Sequence, residues 1–495
     1  MIDSSKFPHP VYKDTVLAPL FEGVKAHHTT SITQINQAHL VMLCETGIVP
    51  LETGKQIAKA LLEIEKDLAD ADPEYTGEYE DYFFLVEAEL KKRLGSDIAG
   101  MLHTARSRND MDHTVFKLAL AKRCDALTQQ ALHLCDVLIR KAEIEKETLI
   151  VAYTHGQPAQ PSTFGHYLSA ALEVLLRDLE RLKLARAGID HCPMGAAAIT
   201  TSGFPINRER MAELLGFSEP LLNSYGCIAS VDYVTGLYSA MKLMFLHLGR
   251  VIQDMQFWSA FEVGQLYVPN SLVQISSIMP QKRNPVPIEH LRHLASVTVG
   301  RCDAIVGTMH NTPFTDMNDS EGEVQQAGYA AFESGSRVLD LFAALIAASS
   351  INEERVAKNT DASCITITEL ADTLVREEGL SFRQAHEIAA ETAKAVIAEQ
   401  KPLRDGFDPF GKAFEAHAQR VSRMSEDQFM HAVSAENFVA IRTRPGGPAP
   451  SALDAALETY KQSAKALRAN NKSFVDQSAQ ATQVRSAAFA KLVQE

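Results

Sequence analysis

A single tryptophan, seven scattered cysteines and no long apolar run set the first limits on this 495-residue chain. Cys44, Cys124, Cys135, Cys192, Cys227, Cys302 and Cys364 never fall at Cys-x-x-Cys spacing, so no structural zinc is implied and reduced core thiols in a cytoplasmic setting are expected. No stretch of about 18 uninterrupted apolar residues offers a membrane span. Asp3, Pro8 and Pro10 stand where a secretory signal would be basic and then apolar. Positive charge is also in deficit. A net charge of -14 and a pI near 5.7 argue against a nucleic-acid partner, although a local pair such as Arg106 and Arg108 can still hold a small anion. There is no internal repeat and no low-complexity tract, which excludes a solenoid.

What is present is helical periodicity. Apolar residues recur at steps of three and four over roughly 113–150, 162–190, 230–262, 286–310 and 324–350. In the second segment Phe164, Leu168, Leu172, Leu175, Leu179 and Leu182 form one stripe, with Arg177, Asp178, Glu180 and Arg181 around the rest. Helices of this length predict an all-α fold built on a long bundle. Runs such as Leu341-Phe342-Ala343-Ala344-Leu345-Ile346 are apolar on more than one face, which predicts burial of a second face against other copies of the chain. The expected organisation is an N-terminal helical domain over 1–106, a central long-helix bundle over 107–357 and a C-terminal helical domain over 358–495. Ser381-Phe382-Arg383-Gln384 has capping-box spacing, and the segment Arg444 to Pro450 reads as a turn-rich break.

Chemistry is concentrated in Ser276-Ser277-Ile278-Met279-Pro280-Gln281-Lys282-Arg283-Asn284-Pro285, which packs two hydroxyls, two cations and an amide between two prolines. On composition alone, a polar hinge between helices is the commoner meaning of such a stretch. The string resembles the signature loop of the aspartase/fumarase superfamily, with Ile275 in place of its first glycine. His103-Thr104-Ala105-Arg106-Ser107-Arg108-Asn109-Asp110 and Tyr153-Thr154-His155-Gly156-Gln157-Pro158-Ala159-Gln160-Pro161 resemble two blocks of the argininosuccinate lyases, in the family's order. The resemblance covers residues 80–350 best, and residues 1–45 fit poorly.

The resemblance implies a three-domain fold, a homotetramer with composite active sites, and no cofactor or metal. It implies elimination of an amine from an N-substituted L-aspartate to leave fumarate. Ser276 corresponds to the serine that acts as base, an alkoxide that a cation and backbone amides must stabilise. Lys282 and Asn284 correspond to donors for the carboxylate where charge grows. Ser107, Arg108 and Asn109 match positions that grip the substrate, as do Thr154 and Gln160. His155 matches a histidine near the leaving group, and Glu289 a glutamate that pairs with it, which would fix the tautomer and raise the pKa.

The likeness weakens around the leaving amine. Where argininosuccinate lyases carry Tyr, Gln and Lys, a gapless alignment puts Asp316, Glu321 and Val324. The change favours a leaving portion with positively charged nitrogens, of the ethylenediamine-N,N'-disuccinate type, over argininosuccinate itself. The rival readings are argininosuccinate lyase proper, an adenylosuccinate, malate or aspartate lyase, and a non-catalytic relative of the crystallin kind.

Overall fold

The fold is known from a computed structural model that describes residues 6–494. The periodic stripes become the core. In the helix Phe164–Ile189, the residues Leu168, Leu172, Leu175, Leu179 and Leu182 are all fully or almost fully buried, and Arg177 and Glu180 face outward. Three earlier helices, α1 (Thr29–Glu45), α2 (Leu51–Ala71) and α3 (Tyr82–Leu94), share a core around Ile35, Leu40, Ile57 and Leu90, which Met111 and Phe116 of the next helix join.

The central bundle is α4 (Arg108–Ile144), α5 (Phe164–Ile189), α6 (Asp232–Ser259), α7 (Val286–Thr308) and α8 (Gly322–Ala348). Between α4 and α5 runs the hairpin β1 (Leu149–Thr154) and β2 (Gln157–Thr163), and between α6 and α7 the two-residue pair β3 (Gln274–Ile275) and β4 (Arg283–Asn284). The chain is all-α apart from such short pairs. Helix α4 packs on α5 and α8, α6 on α5 and α7, and α7 on α8. Two glycines set the α6–α8 approach: a Cβ at Gly328 would lie 2.1 Å from the Tyr238 hydroxyl, and one at Gly335 would lie 2.5 Å from the Phe245 ring.

Four of the five long helices begin and end within about three residues of their periodicity. Helix α4 starts five residues earlier than its apolar pattern, because Ser107 caps it with a capping box closed by Asp110. The expected box at Ser381 and Gln384 is also formed.

After residue 357 the chain divides. Helices α9 (Ile367–Glu378), α10 (Phe382–Ala398) and α11 (Phe407–Ala418) close around Leu370, Leu374, Ile388, Phe410, Phe414 and Phe429. Helix α12 (Pro450–Gln494), 45 residues long, instead returns along α4 and α5. Its Leu453, Leu457 and Leu467 enter the bundle core, and Phe489 and Leu492 enter the N-terminal core. The segment 358–495, expected as one helical unit, thus contributes to three cores. Among the described residues no helix is long and apolar enough to cross a membrane.

The motif residues fall at two ends of the bundle. At one end the start of α4 meets the start of α6 through His113 and Tyr233, and the end of α7 joins the start of α8 around a cavity. At the other end the Tyr153 ring of β1 packs on Phe257, and Phe164 on Trp258, at the end of α6. Helix α4 has 37 residues, so its ends lie about 54 Å apart at 1.5 Å per residue.

Candidate active site

At the first end the side chains of the α4 start are tied down one by one. Ser107 Oγ accepts from the Asn109 N–H at 3.4 Å, and its hydroxyl donates to Asn109 Oδ1 at 2.9 Å. The Asn109 amide donates in turn to Asp316 Oδ2 at 2.6 Å. Asp110 is fully buried and accepts from the N–H groups of Ser107, Gly195 and Ala197 at 2.9, 3.0 and 2.9 Å. Burial nonetheless pushes its carboxyl up to about 6.

Arg108 lies 2.6 Å from Asp81, 3.4 Å from Asp112 and 3.6 Å from Glu80, and its guanidinium stacks over the Phe84 ring. Its charge is therefore matched inside the chain. Arg106 turns away and donates to buried Asn36 at 2.7 Å. A cavity of about 780 Å³ opens beside Arg108 and Asn109, with Asp112, Asp316 and Glu321 on its wall. Crowding shows in their titration: burial, with Asp112 and Asp316 beside it, pushes Glu321 up to about 9, and a hydrogen bond with His113 holds Asp316 below the usual carboxylate range.

At the second end Thr154, His155 and Gln160 are exposed on the hairpin. His155 and Gly156 form its two-residue turn at φ 53° and 75°, the left-handed pair that a tight hairpin needs. For His155 that conformation is strained, and the residue is exposed at the tip. Buried Gln265 anchors the hairpin to the bundle, receiving the Val151 N–H at 3.1 Å and donating back to its carbonyl at 3.2 Å.

The Ser276 loop leaves the same end of the bundle, between α6 and α7. Ser276 Oγ accepts two backbone N–H groups, from Met279 at 3.1 Å and Ile278 at 3.4 Å. Both donors point at the atom that would carry the alkoxide charge. Lys282 is exposed, and Asn284 pairs with Gln274 in the β3–β4 ladder. Glu289 is exposed in the first turn of α7, where its charge suits the helix N-terminus. Ile275 lies in extended β3 with its side chain 77 % exposed.

The chain does not unite these groups. Six-residue strands reach about 20 Å, so the hairpin tip stays at least about 30 Å from Ser107. Among the described residues no hydrogen bond or ion pair joins the Ser107–Asp110 segment to residues 154–160 or 276–289, or His155 to Glu289. Ser107, Arg108 and Asn109 sit together; Thr154, His155 and Gln160 share the hairpin; Ser276, Lys282 and Asn284 share the loop.

Sequence reasoning missed Asp112, His113 and two anchors. His113 follows Asn109 by one helical turn, a spacing that could have found it. Arg283 holds the base of the Ser276 loop, donating to the Val268 carbonyl at 2.8 Å and Asn270 Oδ1 at 2.9 Å beneath the Tyr267 ring. Its role and that of Gln265 depend on long-range contacts with no local signal.

A long-helix bundle with this loop, hairpin and helix start has the layout of an aspartase/fumarase-type lyase. Residues 25–300 match the lyase family model and residues 364–440 the argininosuccinate lyase C-terminal model. Argininosuccinate lyase 2 of Agrobacterium fabrum is 63% identical over 460 residues, covering 93% of this chain and 91% of that protein. Argininosuccinate lyase of Methanosphaera stadtmanae is 34% identical, covering 86% and 90%. The solved structure of an EDDS lyase double variant with bound fumarate is similar at a TM-score of 0.84 and 28% identity, covering 100% of this chain and 98% of that one. The chain belongs to the lyase family of the aspartase/fumarase superfamily, in its argininosuccinate lyase-like branch. It is accordingly a carbon–nitrogen lyase of the fumarate-releasing kind.

Proposed function

We propose that the substrate is an N-substituted L-aspartate whose leaving portion is positively charged, and that the working enzyme is a homotetramer whose active sites combine different copies. Ser276, as an alkoxide held by the Ile278 and Met279 amides, takes the proton from the carbon next to the carboxylate. The released electron pair becomes the fumarate double bond as the carbon–nitrogen bond breaks, and His155, backed by Glu289 of a site-sharing copy, returns a proton to the departing nitrogen. Lys282 and Asn284 hold the carboxylate as it gains charge. Ser107 and Asn109, with Arg108, Thr154 and Gln160, position the rest of the substrate.

The observation that carries the base assignment is the pair of backbone N–H groups on Ser276 Oγ. What supports a composite site is the distance between the two ends of α4. What supports a cationic amine is the cavity wall: Glu80, Asp81, Asp112, Asp316 and Glu323 outnumber Arg108. This favours an ethylenediamine-N,N'-disuccinate type of substrate. Argininosuccinate is the second reading, favoured by the 63% identity to a protein of that name.

Fumarate release from argininosuccinate, ethylenediamine-N,N'-disuccinate, adenylosuccinate, aspartate and malate tests the reading. An N-substituted aspartate wins and malate is inert. A preference for argininosuccinate over all others by about a hundredfold in kcat/KM, about 2.7 kcal/mol, would select the second reading.

A further inference from the structure

Apart from both motif ends, a second cavity of about 360 Å³ lies among α1, α2 and the first turns of α3. Ile32, Leu61, Ile64 and Leu68 give it an apolar floor. Two polar side chains that line it are more than nine-tenths buried, Asn36 at 4% exposure and Tyr82 at 8%. Asn36 Oδ1 accepts from Arg106 at 2.7 Å, but among the described residues the Asn36 amide nitrogen has no acceptor and the Tyr82 hydroxyl no partner. Folding has stripped both donors of bulk water without pairing them, so they are free for an occupant. The apolar floor selects an organic occupant over water alone.

Charge gives the cavity a direction. Lys25 is already engaged, with Glu22 at 3.0 Å, Asp72 at 3.1 Å and the Pro73 carbonyl at 3.2 Å. Glu65, exposed on the rim, has no cation within ion-pair distance among the described residues, and burial alone raises its pKa. Behind Asn36 stands Arg106, which is buried and likewise without a carboxylate at ion-pair distance. Its nearest acidic neighbours serve other groups: Glu87 pairs with Lys91 at 3.0 Å, and Asp110 accepts its three backbone N–H groups. The rim is therefore negative and the deep end positive.

We propose that this cavity binds a small aliphatic molecule with an ammonium group at one end and a carboxylate at the other. The ammonium pairs with Glu65, and the carbon chain lies on Ile32, Leu61, Ile64 and Leu68. The carboxylate accepts from the Asn36 amide and the Tyr82 hydroxyl, in the field of Arg106. The site borders the first motif block through a single bond, since Arg106 immediately precedes Ser107, the cap of α4.

The test reads binding and not turnover, so its failure leaves the lyase reading untouched. Full-length protein is titrated by calorimetry with 6-aminohexanoate, and with hexanoate and hexylamine, which each carry one of the two end groups. One 6-aminohexanoate per chain is expected with a Kd below about 1 mM, and each control should bind at least about tenfold more weakly. Tyr82→Phe, which removes one hydroxyl, should weaken binding by about fivefold or more, and Glu65→Gln on the exposed rim by about tenfold or more. Glu65→Gln decides the matter if Tyr82→Phe disturbs the fold. Asp316→Asn, in the larger cavity, should leave the affinity unchanged. No binding at about 10 mM overturns the proposal, as does an affinity that Glu65→Gln leaves unchanged. Hexylamine or hexanoate binding as tightly as the two-ended probe overturns it too. Binding lost in Asp316→Asn instead would place the probe in the larger cavity, and the proposal would be equally wrong.

Discussion

At the Ser107 end of the bundle, Ser107, Asn109 and Asp110 are all hydrogen-bonded within the chain, whereas at the Ser276 end the loop side chains face outward with little to hold them. The first end is ordered by a helix cap and a buried carboxylate. The second is ordered by one ladder step, by Arg283 and by the strained turn at His155, and it exposes Ile275, Ile278 and Met279. The difference teaches how labour is divided. In the proposed mechanism, groups that position substrate are built into the core at a cost in stability if removed, and the proposed base sits on a loop whose loss costs the fold almost nothing.

Ser276→Ala gives the largest expected effect. The loss in kcat is about a thousandfold or more, about 4 kcal/mol, with the denaturation midpoint unchanged. A variant retaining more than about a tenth of wild-type kcat would remove Ser276 from the mechanism, and one that unfolds more easily would erase the contrast between the ends.

The buried end answers to pH. Asp110 is pushed up from 3.8 to about 6, so its contribution to stability is fully present below about pH 4 and is lost as pH rises through 6. The loss is at most about 3 kcal/mol. Asp110→Asn should flatten the stability curve over that window, as urea unfolding at pH 4, 5, 6 and 7 would report. A variant curve parallel to wild type would place the charge elsewhere.

Ser107→Ala is the smallest effect. Loss of the cap costs about 1 kcal/mol of stability, and the freed Asn109 amide raises KM more than it lowers kcat. A loss of kcat alone would move Ser107 from positioning into the chemical step.

Much of this was legible before any coordinates. The stripe Leu168 to Leu182 predicts its helix almost to the residue, because five large aliphatic side chains at helical spacing leave no other burial pattern. Helix α12 escaped notice for the opposite reason: its buried apolar positions are few and far apart, Leu453, Leu457, Ala464, Leu467, Ala481, Phe489 and Leu492 over 45 residues. The three motif blocks supplied the candidate site residues. What they could not convey was distance, since nothing local says that Ser107 and His155 stand at opposite ends of one helix. The pairing of Asn109 with Asp316, 207 residues apart, was invisible in the same way.

The central claim is that one active site draws on both ends of the bundle from different copies of the chain. Mixing Ser276→Ala with Asn109→Ala, each inactive alone, tests it most directly after subunit exchange under mild denaturant. Sites that receive an intact Ser276 loop from one copy and an intact Asn109 from another should regain activity well above the sum of the two variants. Activity that stays at that sum after exchange has been verified by mass would contradict the claim.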